Sequence, residues 1–171
     1  MRRSAFLVLA ALMLVMPVGV ARAEYELKPH GQGYRMIFPS QPRIRAEDVN
    51  TRFGPSGVVT AEWPRPTGGT CYFTHTRYLG GSVPEGAQMA LDRVRFGRTV
   101  KGTMRVQKRF QFEGQLAQQD VVDTTFPGRP VIVSLDVVRA ADIFSVYCIV
   151  DRGQEEAPDV QNFVGSFAFV P

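Results

Sequence analysis

The chain has 171 residues, enough for one domain over 24–171 once a leader over 1–23 is set aside. Its formal charge of +4 falls to +1 when Arg2, Arg3 and Arg22 leave with that leader, because 17 basic residues then face 16 acidic ones. A near-neutral domain of this size argues against a nucleic-acid partner and needs no metal or covalent staple to fold.

Arg2 and Arg3 form a positive start, Ala5 to Val20 is an uncharged apolar core, and Ala21-Arg22-Ala23 has the small-x-small pattern of a cleavage site. This is the layout of a secretory signal peptide, cut after Ala23. The core is short of the roughly 20 residues that span a bilayer, and Pro17 and Gly19 interrupt its end. The expectation is Sec-type export to a periplasmic or secreted location, with no transmembrane segment after cleavage. The only cysteines are Cys71 and Cys148. An even count in an exported chain points to one disulfide; the other reading is two buried thiols.

In chain order, Tyr25 to Gly33 is a polar lead-in. Tyr34, Met36 and Phe38 alternate as a first strand, which Pro39 and Pro42 end by removing ladder donors. Val49 to Phe53 is a weak second strand, Gly54-Pro55-Ser56-Gly57 reads as a turn, and Val58 to Trp63 forms a third strand. Pro64 to Gly69 is a breaker-rich loop, and Cys71 to Tyr78 a fourth strand of aromatic and Thr residues. Ser82 and Glu85 have the spacing of a capping box, with Pro84 suited to a first helical turn. Ala87, Ala90, Leu91 and Val94 then predict an amphipathic helix from Pro84 to about Phe96, closed by Gly97.

Thr103 to Phe112 alternates cleanly except at Lys108, which suggests an edge position. Leu116 to Phe126 is the next strand, and Pro127-Gly128 suits a type II turn. Pro130 to Asp151 reads as a hairpin. Val131, Val133, Leu135 and Val137 share one face of its first arm, opposite Ser134 and Asp136, while the second arm, Ile143 to Val150, is apolar on both faces. A strand apolar on both faces belongs in the middle of a sheet. Val160, Phe163, Val164 and Phe167 give a short C-terminal helix one apolar stripe. Consecutive strands with short links pair antiparallel. The fold class is therefore α+β, a single antiparallel sheet of about six to eight strands with a central helix and a short C-terminal helix packed on it.

Phe38-Pro39-Ser40-Gln41-Pro42, the Leu91-Asp92 pair in the central helix, and the closing Phe163-Val164-Gly165-Ser166-Phe167 carry a likeness. With these motifs the chain resembles small exported bacterial proteins of the PsbP-like fold, an antiparallel sheet with helices against it. The fold's best-known member is an extrinsic subunit of the oxygen-evolving photosystem. Other members are scaffolding, binding or uncharacterised exported proteins. The resemblance implies a fold and an exported setting; it assigns no functional residue to this chain.

The only histidines are His30 and His75, and no G-x-S-x-G elbow is present. His75 shares a strand face with Cys71 and Phe73, but a bridged Cys71 cannot pair with it as thiolate and base. C-x-x-C, paired-histidine and EF-hand patterns are missing, so no metal or other cofactor is expected. Asp151, Glu155, Glu156 and Asp159 cluster before the last helix, where carboxylates oppose its dipole. Gly31-Gln32-Gly33 and Gly80-Gly81 lack the lysine of a phosphate loop. The local anomaly is a run of one sign: Arg93, Arg95, Arg98, Lys101, Arg105, Lys108 and Arg109 have no acid among them. It is either a solvated face or a docking surface for an anionic envelope partner, namely an acidic protein, a lipid headgroup or a polymer. The expected function is an exported, non-enzymatic binding or accessory module. The alternatives are a hydrolase using carboxylates in a groove, or an envelope assembly protein acting through an exposed sheet edge.

Overall fold

The computed structural model describes residues 24–51, 53–100 and 102–171; the expected leader and Lys101 lie outside the described residues. The elements are β1 (Tyr25–Leu27), β2 (Tyr34–Phe38), β3 (Arg43–Thr51), β4 (Gly54–Pro64), β5 (Thr70–Tyr78), α1 (Gly86–Thr99), β6 (Gly102–Phe112), β7 (Gln115–Thr124), β8 (Val131–Arg139), β9 (Asp142–Val150), α2 (Pro158–Val164) and β10 (Ala168–Phe169). Seven strands form one antiparallel sheet in the order β3-β4-β5-β9-β8-β7-β6. The chain lays down β3 to β5, passes through α1 to the far edge, and returns through β6, β7 and β8 until β9 closes on β5. β9 is thus interior to the sheet, as its two apolar faces require.

The expectation of a single sheet needs correction. β1, β2 and β10 form a second, three-stranded sheet. Two prolines after Phe38 stop β2 from continuing into β3, so β2 packs across the large sheet instead of joining it. Its Tyr34, Met36 and Phe38 are fully buried there. Together with Phe163 of α2 and Phe167 beyond it, they cover Phe73, Val133, Phe144 and Val146 on one face of the large sheet. Phe167 sits 5.1 Å from Phe144 and 6.0 Å from Phe73, centroid to centroid. Burying each such side chain contributes about 1.5–3 kcal/mol. The opposite face carries Tyr78, Val138 and Ile143 under Ala90 and Leu91 of α1.

Three local expectations also change. Gly54 to Gly57 begins β4 and is not a turn; the reversal lies just before it, where Thr51 Oγ1 accepts the Phe53 N–H at 3.1 Å. Ser82 and Glu85 form no capping box, because the Glu85 carboxylate pairs with Arg93 at 2.7 Å. Gly97 lies inside α1, which continues to Thr99. The loop from β4 to β5 behaves as its composition suggests. Gly69 has φ +81°, and a Cβ there would lie 2.3 Å from the Ile149 carbonyl oxygen, so only glycine lets this loop close on β9.

Candidate functional site

β2, β5 and β9 meet at one end of the packed sheets. Alternation along β5 sends Cys71, Phe73 and His75 inward. The β5–β9 register sets Cys71 opposite Cys148, His75 opposite Phe144 and Arg77 opposite Asp142. The first pair is a disulfide, so the cysteine sulfur is unavailable to His75 as a nucleophile. The ring of His75 is buried, stacked on Phe144 at 4.7 Å and met edge-on by Tyr34 at 4.9 Å.

Asp142 is the shared acceptor of this end. Its Oδ1 lies 2.7 Å from His75 Nε2 and 2.7 Å from Arg77 Nε, and its Oδ2 accepts from Arg77 Nη2 at 3.0 Å. An ionised carboxylate only accepts, so His75 Nε2 carries the proton in this contact. Burial alone would raise the Asp142 carboxyl, but the hydrogen bonds from His75 and Arg77 outweigh it and hold it at about 2, below the ordinary 3.8. A folded-state value below the unfolded one means stability that is present above about pH 4 and lost as the pH falls through 2. The expected contribution is about 2 kcal/mol. Urea midpoints taken at pH 5, 3 and 2 should fall more steeply for the wild type than for Asp142→Asn. Parallel curves would show that this pairing does not supply the acid dependence.

The same end opens as a cleft of about 380 Å³, whose lining includes Gln32, Tyr34, Asp48, Val59, His75 and Arg77. Tyr34 is fully buried, yet its hydroxyl has no hydrogen-bond partner among the described residues; the buried Oε1 of Gln32 is in the same position. Burial, reinforced by the negative charge of Asp142, pushes the Tyr34 hydroxyl up to about 12, so it keeps its proton. In the sequence Gln32 falls in a polar lead-in, within a Gly31-Gln32-Gly33 run that lacks the lysine of a phosphate loop, and Asp142 carries no role. The only available signal was the inward phase of His75.

The basic run is resolved differently from how it reads in one dimension. Arg93 meets Glu85 at 2.7 Å and donates to the Tyr78 hydroxyl at 2.6 Å. Arg95 meets Asp92 at 2.9 Å, and Arg105 meets Glu155 at 2.7 Å and Asp123 at 3.3 Å. Arg109 pairs with Asp92 and donates to Gln118 Oε1 at 2.9 Å. Arg98 turns inward from the last turn of α1 onto Asp136. Lys108 sits on the outer edge strand β6, 5.9 Å from the Phe110 ring. Five of these six cations therefore hold acids outside the run, Asp92 directly before it and the others farther away.

The acids before the last helix also have partners. Asp159 accepts two hydrogen bonds from the buried Arg65, at 2.8 and 3.0 Å. Glu155 takes Arg105 and the Gly153 N–H. Among the described residues no three His, Cys, Asp or Glu side chains gather as a metal site, and no helix is long and apolar enough to cross a membrane.

No protein-family model matches the sequence, and no curated protein matches it. Solved structures do. The solution structure of cyanobacterial PsbP (CyanoP) from Synechocystis matches with a TM-score of 0.53 at 10% identity, over 92% of this chain and 98% of that one. A crystal structure of a protein of unknown function from Pseudomonas aeruginosa matches with a TM-score of 0.40 at 8% identity, over 77% of this chain and 85% of that one. At such identities the likeness to CyanoP is one of backbone and leaves side-chain chemistry open. What the chain shares with CyanoP is therefore its architecture, an α+β PsbP-like fold.

Proposed function

We propose that the chain is an exported, non-enzymatic accessory module, and that it binds its ligand in the Tyr34–His75–Arg77 cleft. The observation that carries this reading is the pair of buried oxygens, on Tyr34 and Gln32, left without partners beside that opening. Each buried polar atom without a hydrogen bond costs about 1–3 kcal/mol, so a ligand that supplies the missing bonds is favoured. His75, Arg77 and Asp142 already satisfy one another, so they shape the wall. The leader-like start and the Cys71–Cys148 pair support export, since disulfides persist in oxidising compartments. The PsbP-like fold is compatible with an accessory role.

The test uses isotope-labelled protein, expressed with its leader and purified from the periplasm, titrated with a panel of small anionic, neutral and cationic fragments. Amide shifts should gather at Gln32, Tyr34, Ala46 to Asp48, Gly57 to Val59 and His75. Ala46→Trp, on the exposed strand β3 at the mouth, should abolish them while leaving the rest of the spectrum in place. Shifts confined to other surfaces would refute the assignment, and chemical conversion of a bound fragment would replace it with the hydrolase reading.

A further inference from the structure

We propose that the cleft selects an alkylammonium group: a primary amine on a short apolar stem, as in a free diamine or a lysine side chain. This rests on the reading of the cleft as the binding site and adds the chemistry of what enters it.

Charge argues first. The guanidinium of Arg77 is bound through two of its nitrogens to Asp142, so that pair is neutral as a unit. At the mouth, Asp48 on the edge strand β3 is exposed and has no ion-pair partner among the described residues, and its register places it on the same sheet face as Arg77, whereas Glu47 falls on the other face. Asp48 leans over the face that forms the cleft, because Gly57 opposite it has no side chain. A Cβ placed on Gly57 would lie 3.6 Å from Asp48 Oδ1. Asp48 therefore puts an unpaired negative charge at the mouth, which favours a cation there and repels a carboxylate, while the Arg139 guanidinium is held on the Gln32 and Gly33 carbonyl oxygens at 2.9 and 3.0 Å.

Hydrogen-bonding capacity argues next. An alkylammonium has three donors and no acceptor. The acceptors available to it are the exposed Asp48 carboxylate and, buried within the lining residues, the unpartnered oxygens of Tyr34 and Gln32. Bonds with a charge on either partner are the stronger ones. The stem has somewhere to lie, since Pro29, Ala46 and Val59 contribute apolar wall to the same cleft. Among the described residues no strand pairs with β3 on its outer side, so the remainder of the ligand can leave along that edge.

Calorimetry and amide shifts on the periplasmic protein at pH 7 test this with pentylamine, 1,5-diaminopentane and Nα-acetyl-lysine methylamide against pentanol and pentanoate. The amines are charged at that pH. They should bind at the cleft about tenfold more tightly than pentanol and pentanoate, and more weakly in high salt. Asp48→Asn should weaken the amines about fivefold or more and leave pentanol unchanged. Tighter binding of 1,5-diaminopentane would point to free diamines as the source, and tighter binding of the lysine amide to a peptide side chain. Equal affinity for pentanol and pentylamine, or an Asp48→Asn protein with undiminished amine binding, would overturn the proposal. If pentanol or pentanoate moves the cleft amides and no amine does, the binding site stands and the amine preference falls. If no probe moves them, both fall.

Discussion

Arg98→Met should lower the free energy of unfolding by about 3–5 kcal/mol, the largest loss expected from any single change outside the apolar core. Arg98 projects from the last turn of α1 beneath the helix, onto the face of the sheet where Ser134 and Asp136 of β8 point. Both carboxylate oxygens of Asp136 accept from its guanidinium, one from Nη2 at 2.8 Å and the other from Nη1. Nη1 also donates to Ser134 Oγ at 2.8 Å, and Ser145 Oγ donates to Asp136 Oδ1 at 2.6 Å. The Tyr147 ring lies 5.2 Å from the guanidinium. Burial by itself would lower the Arg98 value, but Asp136 outweighs it and the group stays charged.

Asp136 is fully buried, so removing its cation leaves a carboxylate in low dielectric with one hydroxyl for company. Urea denaturation at pH 7 reads the effect directly. Arg98→Met combined with Asp136→Leu should regain most of the loss, because it removes the stranded charge as well. A single-variant loss below about 1 kcal/mol would mean that water reaches this pair.

Removing the Cys71–Cys148 bridge, by reduction or as a double alanine variant, should cost about 4 kcal/mol. The bridge closes a loop of 77 residues in sequence, and the entropy returned to the unfolded chain grows with the logarithm of that length. The native packing should survive, since both positions lie inside the core and remain small and apolar after substitution. The expected signature is a lower denaturant midpoint with a larger slope, because the freed unfolded chain exposes more surface. An unchanged midpoint after complete reduction would count against the chain-entropy account.

The parts of the fold written most plainly in the sequence have buried faces. The β8–β9 hairpin shows period-2 alternation and a doubly apolar second arm, and the interior place of β9 in the sheet follows. The stripe of Val160, Phe163, Val164 and Phe167 marks α2 for the same reason, although the helix stops at Val164 and Phe167 reaches the core from beyond its end. β3 was largely hidden because it is an edge: Arg43 to Asp48 are all exposed, so no apolar phase betrays a strand. The second sheet was hidden because β1 and β10 have three and two residues, too few to show a period, and β10 reaches β2 from the other end of the chain.

The basic run between Arg93 and Arg109 was legible as charge and illegible as pairing. A window along the sequence cannot see Asp123 and Asp136, which arrive on β7 and β8, or Glu155, which arrives from the loop before α2. The cleft has the same character. Tyr34, His75 and Asp142 come from three strands that meet only through the β5–β9 register and the packing of the small sheet, and no local pattern announces that meeting.

The covalent link between β5 and β9 also has a mechanical meaning. It ties residues 71 and 148 into a ring that contains α1 and β6, β7 and β8 entirely, while the small sheet, α2, β3 and β4 hang outside it. A tensile load applied between the two ends of the polypeptide would pass from strand to strand through that sulfur link and never enter the enclosed lobe. Roughly 250 Å of chain would thus stay slack and shielded however hard the tails were drawn.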